Sequence, residues 1–367
     1  MGVDSATLEK KAEELTTLAA DLFIVDAYYL HQKQVVLSLR FRFEPQKSLA
    51  LLKDRLKLAG YRHTLSTHED SLLLSVNPER QLRIPPLNVV LFVLTLLSVY
   101  FVPVYFFNLN ISGFGEAFHQ TLRDLAAGRG LQFTAALISI LLVHEMGHFV
   151  ASRRRGIVTS WPYFIPAPNF IGTFGAVIRS KSPFWNRRDL IEVGATGPIA
   201  GWIVALAWLI YGLSNSQILP PNPAPFSGMA FSLQGESILV RLLVPALIGP
   251  SGPSTFYLFS EAALAGWVGM LVTALNMMPI GQFDGGHVIY GLVGKRQAIF
   301  GWIALAALLA LGFQSPTWWV FGALGLAMGV AHPPTLDDRK PMPTAARLWG
   351  LAALVILILS FTPVPFQ

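Results

Sequence analysis

The sequence predicts an α-helical polytopic membrane protein of about six to eight transmembrane helices. A membrane-associated β-hairpin or re-entrant loop interrupts them, and a small N-terminal α+β domain, cytoplasmic by its flanking charges, precedes them. Three observations predict this architecture. Hydrophobic residues make up 53% of the 367 positions and charged ones 13%, and the mean hydropathy is +0.51; a soluble domain of this length is more polar. Much of the charge is gathered in residues 1–85. From Pro86 onward, uncharged runs of about 20 residues, enough to cross roughly 30 Å of hydrocarbon, recur between short basic clusters.

Residues 1–22 read as a short amphipathic helix of mixed charge with no long apolar centre, and so not as a cleavable signal peptide. Residues 23–30 and 35–43 read as strands, the second alternating as Val36-Leu37-Ser38-Leu39-Arg40-Phe41-Arg42-Phe43. Pro45 opens a helix over 46–59 that Gly60 closes. Residues 61–67 and 71–76 form a hairpin around His68-Glu69-Asp70. At about 80 residues this segment is near the lower limit for independent folding. His63 and His68 have no third ligand at a regular spacing and read as surface histidines.

Residues 86–107 form the first span, and an amphipathic piece at 115–127 leads to the second. Arg80 and Arg83 precede the first span and Arg153-Arg154-Arg155 end the second. Excess positive charge stays on the cytoplasmic side, which assigns residues 1–85 there. The net charge of +6 fits loops beside anionic lipid and does not call for nucleic acid. The chain has no cysteine, so disulfides and thiolate sites are excluded and any metal ligand must be His, Asp or Glu.

The second span is the unusual one. Its apolar run LQFTAALISILLVHEMGHFVA, residues 131–151, contains His144, Glu145 and His148. Residues four apart share a helix face, so both imidazoles can turn to one metal ion. Glu145 sits about a hundred degrees round, close enough to hold a water at that ion. An uncompensated carboxylate at membrane depth costs at least roughly 2.5–3.5 kcal/mol, and a divalent cation offsets it.

Residues 157–181 are apolar but punctuated by Pro162, Pro166, Pro168, Gly172 and Gly175, which argues against a helix. They read as a re-entrant hairpin or loop beside the metal helix. Its edge at Phe174, Gly175, Ala176 and Val177 is a candidate substrate-binding strand, able to pair with an extended peptide. A cytoplasmic surface loop with exposed aromatics is the plainer alternative, and 181–189 is a charged cytoplasmic stretch. Residues 193–213 form the third span, in which Gly194, Gly197, Pro198 and Gly201 permit close helix approach. Residues 214–260 are Pro- and Gly-rich and extracytoplasmic by alternation; the piece at 238–248 is too short to span.

The next span, 262–283, runs into NMMPIGQFDGGH, residues 276–287. A catalytic zinc of the HExxH kind takes two histidines and a third protein ligand. Asp284 is the candidate, since Zn²⁺ with Asp284 and Glu145 ionised is formally neutral, which suits a low-dielectric site. His287 reads as a satisfied neighbour, with metal ligation as the alternative. Asn276 is either a donor to an oxyanion or an interhelical hydrogen-bonding residue. Lys295-Arg296 marks cytoplasm, 298–313 and 316–331 are short for spans, and 348–361 is a last helix. His332 and Asp337 read as members of a solvated loop, with metal binding as the alternative.

HEMGH on one helix and NMMPIGQFDGGH on a later one resemble the paired motifs of the site-2 protease family, intramembrane zinc metalloproteases of peptidase family M50. PYFIPAPNFIGTFGAVIRSKSP and GATGPIAG resemble its cyanobacterial and chloroplast branch. The resemblance covers residues 130–295, the expected catalytic core of a membrane domain at 86–367, with 1–85 as an accessory domain. It implies zinc ligation by His144, His148 and Asp284, one Zn²⁺ per chain, Glu145 as catalytic acid/base and Asn276 as a helper at the scissile carbonyl. It implies as substrate a single-span membrane protein such as an anti-sigma factor, in a bacterial cytoplasmic membrane or, second, a thylakoid or plastid membrane. The family's PDZ module is not apparent, and residues 1–85 are the candidate substitute. The rival from another class is an ion or metal transporter or channel using the same His/Glu/Asp cluster, although no inverted repeat accompanies it.

Overall fold

The computed structural model describes residues 5–31, 34–58, 61, 63–68, 71–76, 84–155, 157, 159–180, 184, 186–219, 230–231, 236–249, 255–335, 338–339 and 341–365. The expectations placed on Gly60, Glu69, Asp70, Arg80, Arg83, Lys181 and Asp337 lie outside the described residues. The chain divides into two compact units, residues 1–84 with 152–161 and 179–183, and residues 85–151 with 162–178 and 184–367.

In the first unit, helices α1 (Ser5–Ala19) and α2 (Pro45–Leu58) accompany strands β1 (Phe23–His31), β2 (Gln34–Phe41), β3 (His63–His68) and β4 (Ser71–Val76). The strands form an antiparallel sheet in the order β1-β2-β4-β3. Leu8, Ala12, Leu15 and Ala19 recur on one stripe of α1 and meet Leu37 and Leu39 of β2, Leu72 and Leu74 of β4, and Leu52 and Leu56 of α2. The period of two on β2 sets this register, because a one-residue slip would turn Leu37 and Leu39 out of the core. Arg55 of α2 donates to Asp21 Oδ1 and Oδ2 at 2.6 and 2.7 Å and to the Leu18 carbonyl at 2.9 Å, a planar fork that closes the α1–β1 turn.

The second unit comprises α3 (Pro86–Ser112), α4 (Phe114–Ala126), α5 (Leu131–Arg154), strands β5 (Tyr163–Pro166) and β6 (Thr173–Val177), and α6 (Arg187–Leu213). Short strands β7 (Gln217–Ile218), β8 (Ala230–Phe231) and β9 (Tyr257–Leu258) pair in the order β7-β9-β8 around α7 (Ile238–Leu247). Then follow α8 (Glu261–Asn276), α9 (Asp284–Val293), a 3₁₀ turn at Gly294–Arg296, α10 (Gln297–Leu311), α11 (Thr317–Ala327) and α12 (Thr344–Ser360).

Among the described residues, four helical runs are long and apolar enough to cross a membrane by length and composition: Pro86–Leu109, Leu131–Arg154, Arg187–Leu213 and Asp284–Leu311. Large apolar side chains on their outer faces stay exposed, among them Leu87, Val90, Leu94 and Leu97 of α3 and Ile299, Trp302 and Ile303 of α10. Such faces suit contact with lipid rather than water.

One expectation is corrected. Residues 262–283 are not one span: α8 ends at Asn276, and Asp284 opens a separate helix. Pro279 has no N–H to continue a helix, and Gly281 turns the chain at φ +49°. Lys295-Arg296 lies in the 3₁₀ turn inside the run 284–311. The hairpin is present, with Tyr163↔Val177, Phe164↔Ala176 and Pro166↔Thr173 paired, and it is bonded to α3. Asn88 Nδ2 donates to the Pro162 carbonyl at 2.8 Å, and Phe92 meets Phe164 edge-on at 5.0 Å. Gly172, at φ +84°, lies where a Cβ would come within 2.6 Å of Val99 Cα.

Candidate metal centre

The site starts from the way α5 is held. Its first turn has free backbone N–H groups, and Glu261 of α8 accepts from Gly130 N at 2.7 Å and Phe133 N at 3.4 Å. A carboxylate there also complements the helix dipole. Toward the other end of α5, His144, Glu145 and His148 are 4%, 4% and 8% exposed, burial that polar groups accept only when partnered.

The two imidazoles point their Nε2 atoms to one place, 3.1 Å apart. Asp284, first residue of α9, brings Oδ2 to 3.3 Å from His144 Nε2 and 3.2 Å from His148 Nε2. Three corners of a tetrahedron with zinc–ligand bonds of about 2.0–2.1 Å lie roughly 3.3–3.4 Å apart. The observed triangle therefore fits zinc closely, and among the described residues it is this group that could hold a metal ion. His148 Nδ1 donates to the Val193 carbonyl at 2.8 Å, which fixes the ring orientation and leaves the Nε2 lone pair free for a metal. Glu145 is within electrostatic reach of His148 and Asp284. A divalent cation at the triangle would balance the two carboxylates.

Helix α6 makes the room. A Cβ at Gly197 would overlap His148 Nε2, one at Gly201 would lie 2.8 Å from His144 Cβ, and one at Gly194 would lie 2.8 Å from His287 Cβ. Across the same contact a Cβ at Gly147 would come within 2.9 Å of the Thr196 carbonyl. These glycines seat the imidazoles as well as packing helices, a role that their spacing alone does not reveal.

His287 is not part of the triangle. The His332 Nδ1–H donates to the Pro333 carbonyl, so the neutral His332 ring accepts at Nε2, and His287 Nδ1–H donates to it across 2.6 Å. Burial holds His332 below the ordinary histidine range, consistent with a neutral ring. His332 is thus tied to α9 and is not a freely solvated loop residue. Asn276 is the half-buried last residue of α8, ahead of the loop that leads to Asp284. On the hairpin, Phe174 is 72% and Val177 51% exposed, and a Cβ at Gly175 (φ +94°) would meet open space. Sequence reasoning missed Val193, whose contribution is a backbone carbonyl and carries no residue-type signal, and Gln297, described below.

Residues 132–311 match the family described as Peptidase family M50. Among curated proteins, the chain is 31% identical over 243 residues to the probable zinc metalloprotease EGY2, chloroplastic, of Oryza sativa subsp. indica, covering 65% of this chain and 43% of that protein. It is 30% identical over 241 residues to the Arabidopsis thaliana protein of the same name, covering 65% and 42%. It is 30% identical over 246 residues to the probable zinc metalloprotease EGY1, chloroplastic, of Arabidopsis thaliana, covering 64% and 43%. The match thus spans less than half the length of these relatives. No solved structure matches the chain.

Proposed function

From a chain whose residues 132–311 match the family described as Peptidase family M50, we propose an intramembrane zinc metalloprotease that hydrolyses peptide bonds in or near the transmembrane segments of single-span membrane regulators. The observation that carries it is the Nε2–Nε2–Oδ2 triangle with sides of 3.1, 3.2 and 3.3 Å. In this reading His144, His148 and Asp284 hold one zinc ion. Bound there, zinc supplies Lewis acidity toward a peptide carbonyl and makes water nucleophilic near neutral pH.

The protein's own residues do the rest. Glu145 takes the proton of the attacking water and returns it to the leaving amine. The Val193 carbonyl keeps the His148 ring in its ligating tautomer. Asn276 donates to the scissile carbonyl as negative charge builds on it. A substrate helix shields its own peptide bonds and must unwind before attack. The exposed edge at Phe174, Gly175, Ala176 and Val177 would take the unwound segment by strand pairing.

The finer assignments belong to the same proposal: six to eight spans counting the shorter apolar helices, a cytoplasmic N-terminal accessory unit at 1–85, and an anti-sigma-type substrate. The membrane is a bacterial cytoplasmic one, or a thylakoid or plastid one if the chain shares the compartment in its relatives' names. Ion transport gains no support from the family match or from this geometry. The test is zinc content and cleavage of a single-span reporter by the purified chain. Glu145→Gln should keep about one zinc and lose cleavage; ordinary turnover by that variant would remove Glu145 from its role.

A further inference from the structure

Asp284 stands at the joint between α8 and α9. It begins α9 directly after the turn 277–283, its preceding residue Phe283 supplies no side-chain cap, and Pro279 and Gly281 deny that turn a regular hydrogen-bonded pattern. A ligand placed on such a segment needs outside support to hold its carboxylate to within about half an ångström.

That support comes from the connection between α11 and α12. Gly281 N donates to the Val330 carbonyl at 2.9 Å. Gln297, the 1%-exposed first residue of α10, donates through Nε2 to the Pro279 carbonyl at 2.9 Å and the Val330 carbonyl at 3.1 Å. Its Oε1 accepts from His332 N at 2.8 Å. One carboxamide thus bonds both the turn ahead of Asp284 and the α11–α12 connection. Beyond Asp284, His332 accepts from His287 on the next turn of α9, and Tyr290 Oη donates to Asp338 Oδ2 at 2.6 Å. The ligand is bracketed on both sides by one segment. That segment lies past residue 311, where the family match ends.

We propose that Gln297 and His332 are positioning residues that clamp the Asp284 carboxylate over the two histidines, making the α11–α12 connection part of the metal centre. The inference rests on His144, His148 and Asp284 holding the metal. Partners behind a ligand typically change metal affinity by about 10- to 100-fold when removed.

The test uses the full chain in detergent, loaded with zinc and separately with cobalt(II). Gln297→Ala and His332→Ala should release zinc to a chelator about 10- to 100-fold faster than the wild type and alter the cobalt visible spectrum. His332→Gln keeps an oxygen acceptor for His287 Nδ1–H and should recover much of the loss. Trp202→Phe, which removes the bond from Trp202 Nε1 to Ser360 Oγ at 2.8 Å, should lower thermal stability without moving the cobalt spectrum. Unchanged zinc release and spectrum in both alanine variants, with a zinc-loaded wild type, would overturn the clamp alone. A wild type that binds neither metal would overturn the metal reading and the clamp with it.

Discussion

His148 has one ring nitrogen committed to a carbonyl and the other aimed at a second imidazole and a carboxylate, so its usefulness depends on what lies behind it. Gly197 lies there, and a single methyl group at that position would occupy the space of Nε2. Gly197→Ala is therefore expected to cost about 1–3 kcal/mol of stability by overpacking and to abolish stoichiometric zinc binding, read by thermal unfolding and metal analysis. Gly201→Ala, whose Cβ would meet the stem of His144 at 2.8 Å, should lower zinc affinity less. Asp284→Ala should also lower zinc content; full occupancy there would move the third ligand elsewhere, with His287 the nearest alternative. The histidine pair and Asp284 were legible in the sequence because the i, i+4 spacing and an acid at an apolar segment's end carry chemical meaning by themselves. The Val193 carbonyl and the Gln297 carboxamide were not, since their roles arise only when distant segments are brought side by side.

At the scale of elements, α5 is set by a carboxylate from another helix. Glu261→Ala should destabilise the second unit by about 1 kcal/mol, the usual value of a lost cap, with faster amide exchange at Gly130 and Phe133; unchanged exchange would show that water serves as well. The hairpin offers a different test. Gly175→Val puts a branched residue at φ +94°, a conformation that L-residues avoid. If β6 receives the substrate, KM should rise with kcat largely kept. In the first unit, the Arg55 guanidinium holds the Asp21 carboxyl below its ordinary range. A depressed carboxylate stabilises above its unfolded pKa, and the stabilisation is lost as pH falls through the folded one. Asp21→Asn should therefore flatten the acid limb of that unit's stability below about pH 4; an unaltered limb would deny the fork any part in it. Strands β1 and β2 lie where the sequence placed them, although β2, paired on both sides, is buried through Leu39 and does not alternate, whereas the break after Asn276 did not stand out. There Pro279 falls within an apolar run whose hydropathy continues unbroken, so composition read one helix where the backbone makes two.

At the scale of the whole chain, the exposed apolar faces of α3 and α10 demand a bilayer. The chain should stay with the membrane fraction through alkaline carbonate extraction, and release there would contradict the polytopic architecture. Leu94→Arg, on the outer face of α3, should impair insertion by roughly 2.5–3.5 kcal/mol on the insertion scale. Composition and run length made the membrane class legible. Span number was harder to read, because helices of 10–17 residues such as Glu261–Asn276 and Thr344–Ser360 fall below the length at which hydropathy alone decides.

Two imidazoles and one carboxylate forming a single zinc site can be read by X-ray absorption at the zinc edge of the purified chain. The expected spectrum is that of about one zinc per chain with two imidazole nitrogens and a carboxylate oxygen at about 2.0–2.2 Å, with the oxygen contribution lost in Asp284→Ala. A shell of three imidazoles, or a zinc signal unchanged in that variant, would contradict it.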